Sequence, residues 1–293
     1  MRLEGTVCPM PTPTTGRDID TDALAEYTSY LINGGVHGLF PCGSIGEFPS
    51  LTRAQRSNVL ETVVDSADDV PVLAGCGHTS AGDVAEHIRD ADAAGVDAAV
   101  VVTPYYLSTT QDGLQRFFET IADDSSLPIV LYNIPALTGE ELSVDLVSTM
   151  AEHPNVVGLK DTSGDLTFLY DVIETTPSDF DVFQGASSCH SIARTRCKRV
   201  DRWASKRLPR PVAQLYDSYR HSDYDHARQL MNSVVNPVVS TMNDIPTAAA
   251  MKHLVRRSGI DIGTPLPPLP QLDDAQRERL DHCYDSVLAS VTV

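Results

Sequence analysis

The chain has 293 residues, enough for one barrel domain of about 250 residues and an appended helical tail. Apolar residues make up 42% of it without a continuous run of the roughly 18 that a membrane helix needs, and the N-terminal segment lacks the apolar core of a signal peptide. Forty acidic and 22 basic residues give a formal charge of −18, which disfavours contact with nucleic-acid phosphates. The six cysteines are scattered without a C-x-x-C pair, so neither disulfides nor a metal site is expected. We therefore expect a soluble cytoplasmic protein that binds neither membrane nor nucleic acid, with the acidic surface of a halophilic protein.

Short apolar runs alternate with segments of helical spacing along the first 185 residues. The runs predict seven buried strands at residues 6–10, 38–41, 71–74, 98–102, 128–132, 156–159 and 181–183. The intervening segments predict helices at residues 22–33, 53–66, 81–94, 113–123, 144–152 and 166–174, with Thr52, Ser80 and Ser143 as N-caps. Strands about 25 to 30 residues apart, separated by helices, predict an α/β fold, a (β/α)8 TIM barrel.

The last part of the chain has helical spacing only. Helices are predicted at residues 216–231, 246–258 and 274–288, the last two separated by a Pro-rich turn. We accordingly assign residues 1–222 to a catalytic barrel and residues 223–293 to a C-terminal helical region.

Residues 194–210 do not fit this pattern. They hold eight of the 22 basic residues and a single acidic one, and they show neither the apolar run nor the alternation of the eighth strand that should lie there. A basic patch for a phosphate or a nucleic acid is one interpretation. We favour a frameshift in the coding sequence around residues 189–210, because propensity, pattern and composition change together there. Resequencing the gene would test this, and an intact reading frame would contradict it.

Lys160 ends the sixth predicted strand, so it should lie at the C-terminal mouth of the barrel, where such enzymes carry their catalytic residues. A partly desolvated lysine supplies the neutral amine that attacks a ketone. An ion pair with Asp161 is the alternative interpretation of this lysine. Tyr132 ends the preceding strand and can shuttle protons, unless it is only a core tyrosine whose hydroxyl reaches solvent.

The loop after the second strand carries two glycines around Ser44 and Ile45, which lets backbone N–H groups face a small anion such as a carboxylate. Ser44 can relay protons to Tyr132, although a plain turn would have the same spacing. Glu47 is interpreted as a structural acceptor that fixes this loop. The fourth strand ends in TPYY, which places Tyr106 and its neighbour Tyr105 at the mouth or at a subunit contact.

Five segments resemble one family in order and spacing: GSIGEFPSLT (43–52), TPYY (103–106), YNIPALTG (132–139), GLKDTSG (158–164) and FQG (183–185). It is the family of pyruvate-dependent class I aldolases and dehydratases that includes dihydrodipicolinate synthase, N-acetylneuraminate lyase and 2-keto-3-deoxygluconate aldolase. The resemblance covers nearly the whole chain except about 187–210. It implies a homotetramer, a dimer of dimers, that needs no metal or cofactor.

The resemblance also implies a role for each matching residue. Lys160 would be the Schiff-base lysine and Tyr132 the phenolic acid and base. Ser44 would be the hydroxyl between Tyr132 and Tyr106, and Tyr106 would come from a neighbouring subunit. Gly185 would line the site.

Two departures from the family pattern bear on the substrate. Ile45 stands where the family usually has a threonine that holds the pyruvate carboxylate, so only backbone donors remain there. Ala136 and Leu137 stand where dihydrodipicolinate synthases carry an arginine, which argues against that synthase. The chain is closest in character to 2-keto-3-deoxygluconate (6-phospho) aldolase.

The sequence thus predicts an aldolase of the Entner–Doudoroff type, which cleaves 2-keto-3-deoxygluconate or its 6-phosphate to pyruvate and glyceraldehyde or its 3-phosphate. N-acetylneuraminate lyase, a 2-keto-3-deoxy-pentonate dehydratase and a dihydrodipicolinate synthase-like enzyme are alternatives, because all of them pass through the same imine. A metabolite-binding protein without activity, or an inactive frameshift product whose barrel cannot close, is the non-enzyme alternative. A phosphate-binding isomerase barrel would need a carboxylate base and a phosphate loop that the sequence does not show.

Overall fold

The computed structural model describes residues 5–185, the backbone of 197–200, and residues 209–291. Eight parallel strands form one sheet: β1 (Thr6–Pro9), β2 (Gly38–Phe40), β3 (Leu73–Gly75), β4 (Ala98–Val102), β5 (Ile129–Asn133), β6 (Val156–Asp161), β7 (Asp181–Gln184) and β8 (Cys197–Val200). The sheet runs in the order β2-β1-β8-β7-β6-β5-β4-β3, and a parallel bridge between Leu39 and Val72 joins its two edges. The predicted (β/α)8 TIM barrel is therefore confirmed.

The barrel strands are apolar on both faces because both faces are covered. One set of alternate residues, including Phe40, Val100 and Phe183, fills the barrel interior. The other set, including Leu39 and Val101, packs in the layer between strands and helices. This double burial produces continuous apolar runs, and the runs are why the strands could be located from sequence.

Helices cover the barrel between the strands: Thr21–Asn33, Arg53–Asp65, Ala81–Ala93, Gln111–Asp124, Val144–Ala151 and Leu166–Thr175. The predicted N-caps are confirmed. The side chains of Ser80 and Ser143 accept hydrogen bonds from the third residue of their helices, and Thr52 forms a reciprocal capping box with Gln55.

The C-terminal part differs from the prediction between residues 209 and 241. The single helix predicted at 216–231 is two helices, Pro209–Arg220 and Tyr224–Leu230, because Ser222 adopts a positive φ of 61° that ends the first. A π-helical stretch, Met231–Val235, leads into the helices Asn236–Thr241, Thr247–Arg256 and Asp274–Val291. These elements share a separate apolar cluster, which also contains Ile45 from the loop after β2. The division of the chain at residue 222 stays a prediction.

No pattern in the sequence predicted an eighth strand, yet the backbone of Cys197–Val200 forms one. It pairs with β1 on one side and β7 on the other, with Thr6 opposite Arg199 and Phe183 opposite Lys198. The alternative in which the eighth strand cannot close the barrel is therefore contradicted for the backbone. Of the rest of the predicted frameshift segment, residues 209–210 begin a helix, and residues 189–196 and 201–208 lie outside the described residues. Among the described residues, no helix combines the length and apolarity needed to cross a membrane.

Candidate active site

Tyr132 and Lys160 lie side by side at the C-terminal mouth of the barrel. They are direct partners in the register of β5 and β6, and both are 5% exposed. The Lys160 Nζ lies 3.2 Å from the centroid of the Tyr132 ring and 5.3 Å from that of Phe40. The amine is therefore held between aromatic rings and shielded from bulk water.

Asp161 belongs to a different polar group from Lys160. Successive residues of a strand point to opposite faces, so the Asp161 side chain leaves the barrel interior. Its Oδ1 accepts a hydrogen bond from Asn133 Nδ2 at 2.8 Å, and its Oδ2 accepts one from Ser163 Oγ at 2.9 Å. Burial raises the pKa of Asp161, while these hydrogen bonds oppose the shift. Asp161 thus fixes the ends of β5 and β6, and the geometry does not favour the ion-pair interpretation of Lys160.

The loop after β2, residues 43–47, approaches the mouth from the opposite side of the barrel. We call it the carboxylate loop. A Cβ on Gly46 would lie 2.9 Å from the Met10 carbonyl oxygen, so glycine is needed where the two backbones meet. Ser44 and Ile45 line the cavity, and Glu47 holds a positive φ of 60° at the end of the loop. The loop is a tight turn that presents two consecutive residues to the cavity.

Glu47 is fully buried and fixes the loop, as the sequence predicted. Its Oε2 accepts a hydrogen bond from the Leu266 N–H at 2.6 Å, and its Oε1 lies 2.9 Å from Lys252 Nζ. Lys252 also donates to Thr14 Oγ1 and to the Thr264 carbonyl. Of the two lysine side chains that the structure describes, Lys252 is held by three oxygens, and Lys160 is the one that faces a cavity.

A cavity of about 270 Å³ opens above Lys160. Gly185 lines it at the end of β7, where a Cβ would lie 2.4 Å from Thr162 Oγ1. The C-terminal part covers the opposite side with Pro246, Thr247, Ala248, Ala249, Leu269 and Pro270, which we call the roof. Among the described lining residues, Lys160 is the one charged side chain. The described part of the chain has no group of three or more His, Cys, Asp or Glu side chains placed to hold a metal ion.

Tyr106 does not line the cavity of its own chain. It is 93% exposed, with a positive φ of 83°, and it lies next to Leu107, which is 75% exposed. Tyr105 instead packs edge-on against Phe48 at 6.1 Å between ring centroids, and its burial raises its pKa. The structure thus brings Ser44, Ile45, Tyr132, Lys160 and Gly185 together and leaves Tyr106 outside.

Two parts of the site were missed by the sequence interpretation. Thr162 is 5% exposed and lines the cavity, and its hydroxyl has no hydrogen-bond partner among the described residues. Its position two residues after Lys160, on the same face by strand periodicity, was the available signal. The roof carried no such signal, because its residues are small or apolar and come from a predicted C-terminal helix and a Pro-rich turn, which no pattern linked to the mouth of the barrel.

Comparison with known proteins places this geometry in a family. Residues 2–286 match the model of the dihydrodipicolinate synthetase family. A 4-hydroxy-tetrahydrodipicolinate synthase of Methanospirillum hungatei is 34% identical over 272 residues, which cover 90% of this chain and 91% of that protein. An uncharacterised DapA-like lyase of Halobacterium salinarum is 32% identical, covering 95% and 92%.

Two solved structures have the same fold over nearly their whole length. The 4-hydroxy-tetrahydrodipicolinate synthase of Methylacidiphilum fumariolicum has a TM-score of 0.93 at 26% identity, covering 99% of this chain and 98% of that one. YagE of Escherichia coli, solved in complex with pyruvate, has a TM-score of 0.90 at 29% identity, covering 98% and 99%. The chain therefore belongs to the dihydrodipicolinate synthetase family, a family of lyases that use pyruvate.

Proposed function

We propose that the protein is a Schiff-base aldolase that cleaves 2-keto-3-deoxygluconate to pyruvate and glyceraldehyde, in sugar-acid breakdown of the Entner–Doudoroff type. The observation that carries the proposal is the position of Lys160, buried beside Tyr132 in a cavity otherwise free of charge among the described residues. Burial disfavours the charged form of a lysine, and the neutral amine is the nucleophile.

The chemistry needs one nucleophile and one proton carrier. The Lys160 amine attacks the C2 ketone of the substrate and, with loss of water, forms an iminium ion. The C3–C4 bond then breaks, its electron pair moves into the iminium to give an enamine, and the C4 hydroxyl proton passes to the Tyr132 phenolate. Protonation of the enamine carbon and hydrolysis of the imine release pyruvate and regenerate the amine.

The carboxylate loop would hold the C1 carboxylate of the substrate. Its Ser44 and Ile45 line the cavity, and their N–H groups are the donors available there, since Ile45 has no side-chain hydroxyl. The Ser44 hydroxyl would relay protons to Tyr132. Gly185 would line the substrate site, and it packs so closely against Thr162 that a Cβ there would meet the Thr162 hydroxyl.

The end of the cavity away from Lys160 favours a substrate whose far end is uncharged. Leu137 and the roof are apolar or small, and no arginine or second lysine lines the cavity among the described residues. A phosphate or second carboxylate would lose its hydration there without gaining a cation. Thr162 lines the cavity, and we assign its hydroxyl, which has no partner among the described residues, to a hydroxyl of the substrate. We therefore place the free sugar acid ahead of its 6-phosphate.

Tyr106 would enter the site of a neighbouring chain. Its exposure beside Leu107, on the loop after β4, suits a subunit contact better than a solvated surface. The proposed assembly is a homotetramer, a dimer of dimers, acting in the cytoplasm on a small 2-keto acid.

Borohydride trapping tests the imine directly. Incubation with pyruvate and sodium borohydride, followed by peptide mass spectrometry, is expected to give a reduced pyruvate adduct on Lys160, and Lys252 serves as the internal control. No adduct on Lys160 would refute the proposal. A panel of 2-keto-3-deoxygluconate, its 6-phosphate, N-acetylneuraminate and 2-keto-3-deoxy-pentonate, assayed for pyruvate and for 2-ketoglutarate semialdehyde, then identifies the substrate.

Synthesis of 4-hydroxy-tetrahydrodipicolinate is the second candidate, because relatives 34% and 35% identical carry that name. It would use the same lysine and would condense pyruvate with aspartate semialdehyde. The aldehyde's carboxylate would then lie near Leu137 without a cation among the described lining residues. Faster turnover with aspartate semialdehyde and pyruvate than with the sugar acids would establish this function in place of the aldolase.

A further inference from the structure

Glu47 and Lys252 form a buried ion pair that the proposed chemistry does not use. Both side chains are 0% exposed, and Nζ lies 2.9 Å from Oε1. Removing two charges from water is strongly unfavourable unless other polar groups replace the water. A structural role would explain a buried ion pair at this position. The pair lies next to the cavity, so the role we consider is the positioning of the cavity walls.

The pair joins elements that form different walls of the cavity. Glu47 ends the carboxylate loop, and Lys252 lies in the helix Thr247–Arg256, whose first residues form part of the roof. The Leu266 N–H donates to Glu47, and Lys252 donates to the carbonyl of Thr264, three and five residues before the second roof segment, which begins at Leu269. The carboxylate loop and both pieces of the roof are thus tied to one polar centre.

Two further hydrogen bonds connect this network and the carboxylate loop to the segment that follows β1. Lys252 donates to Thr14 Oγ1 at 3.1 Å, and Thr12 Oγ1 donates to the Gly46 carbonyl at 2.8 Å. Both threonines follow β1. The backbone carbonyl of Gly46 and the side chain of Glu47 are therefore fixed from two directions, next to Ser44 and Ile45, which line the cavity.

We propose that Glu47 and Lys252 are a positioning pair that sets the carboxylate loop against the roof and so fixes the donors for the substrate carboxylate. The inference rests on the proposed function, because the loop is given its role there. Neither residue lines the cavity, so the pair acts through the loop rather than on the substrate. Displacement of binding groups by about 1 Å can reduce rates 100-fold, so loss of the pair should weaken carboxylate binding measurably.

The test measures how the amount of borohydride-trapped adduct at 25 °C depends on the pyruvate concentration. It compares the wild type with Lys252→Met and with the double variant Glu47→Gln/Lys252→Met. We expect the half-saturating pyruvate concentration to rise about tenfold in both variants. Labelling should still be complete at saturating pyruvate, because Lys160 lies on β6 and not on the loop or the helix that carries the changed residues. The double variant leaves no unpaired buried charge, so it separates loop position from folding. Its melting temperature should lie close to that of the wild type.

The matched control is His253→Gln, in the same helix. His253 Nε2 lies 2.9 Å from Asp281 Oδ1 in the helix Asp274–Val291, so its contact is with that helix, and this variant should keep the wild-type half-saturation. Wild-type half-saturation in the double variant, or an equal increase in His253→Gln, would overturn the inference while leaving the aldolase proposal intact. If the wild type itself gives no adduct on Lys160, the proposed function fails and the inference fails with it.

Discussion

Thr162 allows a prediction in which stability and activity change in opposite directions. Its buried hydroxyl has no partner among the described residues, and an unsatisfied buried hydroxyl costs roughly 1–3 kcal/mol. Thr162→Val replaces the hydroxyl with a methyl group of similar size. We expect the free enzyme to gain on the order of 1 kcal/mol, which raises the melting temperature by about 2 °C in a chain of this length.

The same change should reduce cleavage of 2-keto-3-deoxygluconate. A neutral hydrogen bond contributes about 1 kcal/mol, so kcat/KM should fall about fivefold. Pyruvate trapping should be unchanged, because the hydroxyl is assigned to the part of the substrate beyond the pyruvate carbons. Calorimetry and a pyruvate-release assay measure the two effects.

Thr6 provides a matched control. Its hydroxyl is also buried without a partner among the described residues, but Thr6 lies in β1 and does not line the cavity. Thr6→Val should gain similar stability and keep full activity. If Thr162→Val lowers the melting temperature and cleaves the sugar acid at the wild-type rate, the substrate contact assigned to Thr162 is wrong.

Four other predictions concern different parts of the chain. Burial, aided by the charge of Arg56, lowers the pKa of His87 to about 4, so the fold keeps this histidine neutral while the unfolded chain protonates it near 6.5. Stability should therefore fall as the pH drops from 6.5 towards 4, and His87→Gln should flatten that part of the profile in pH-dependent denaturation. Mixing Lys160→Ala with Tyr106→Ala chains should restore some activity if Tyr106 enters the neighbouring site, whereas a lack of complementation after subunit exchange would contradict this. The melting temperature should rise between 0.1 and 2 M KCl, because salt screens repulsion in a chain of formal charge −18, and a flat response would count against the halophilic assignment. Resequencing of the gene should reveal a shifted frame around codons 189–210, and an intact frame would refute the frameshift.

The sequence determined the barrel because each strand is buried on both faces and each helix begins at a capping residue. The apolar runs at β4 and β5 and the caps at Ser80 and Ser143 are local signals that do not depend on distant parts of the chain. Lys160 and Tyr132 could be placed together for the same reason, since the C-terminal ends of neighbouring parallel strands meet at one mouth. The helix break at Ser222 was missed because a positive φ at serine has no reliable sequence signal.

The tertiary structure decided what surrounds the lysine. The sequence could not show that Asp161 turns away to Asn133 and Ser163, because the choice between an ion pair and a hydrogen-bonded strand end depends on a neighbouring strand. It could not pair Glu47 with Lys252 either, since the two are 205 residues apart and meet only when the C-terminal helices pack over the mouth. The local sequence pattern determines the strands and helices, because apolar runs and capping residues lie within each element. The cavity walls instead depend on contacts between segments that are distant in the chain.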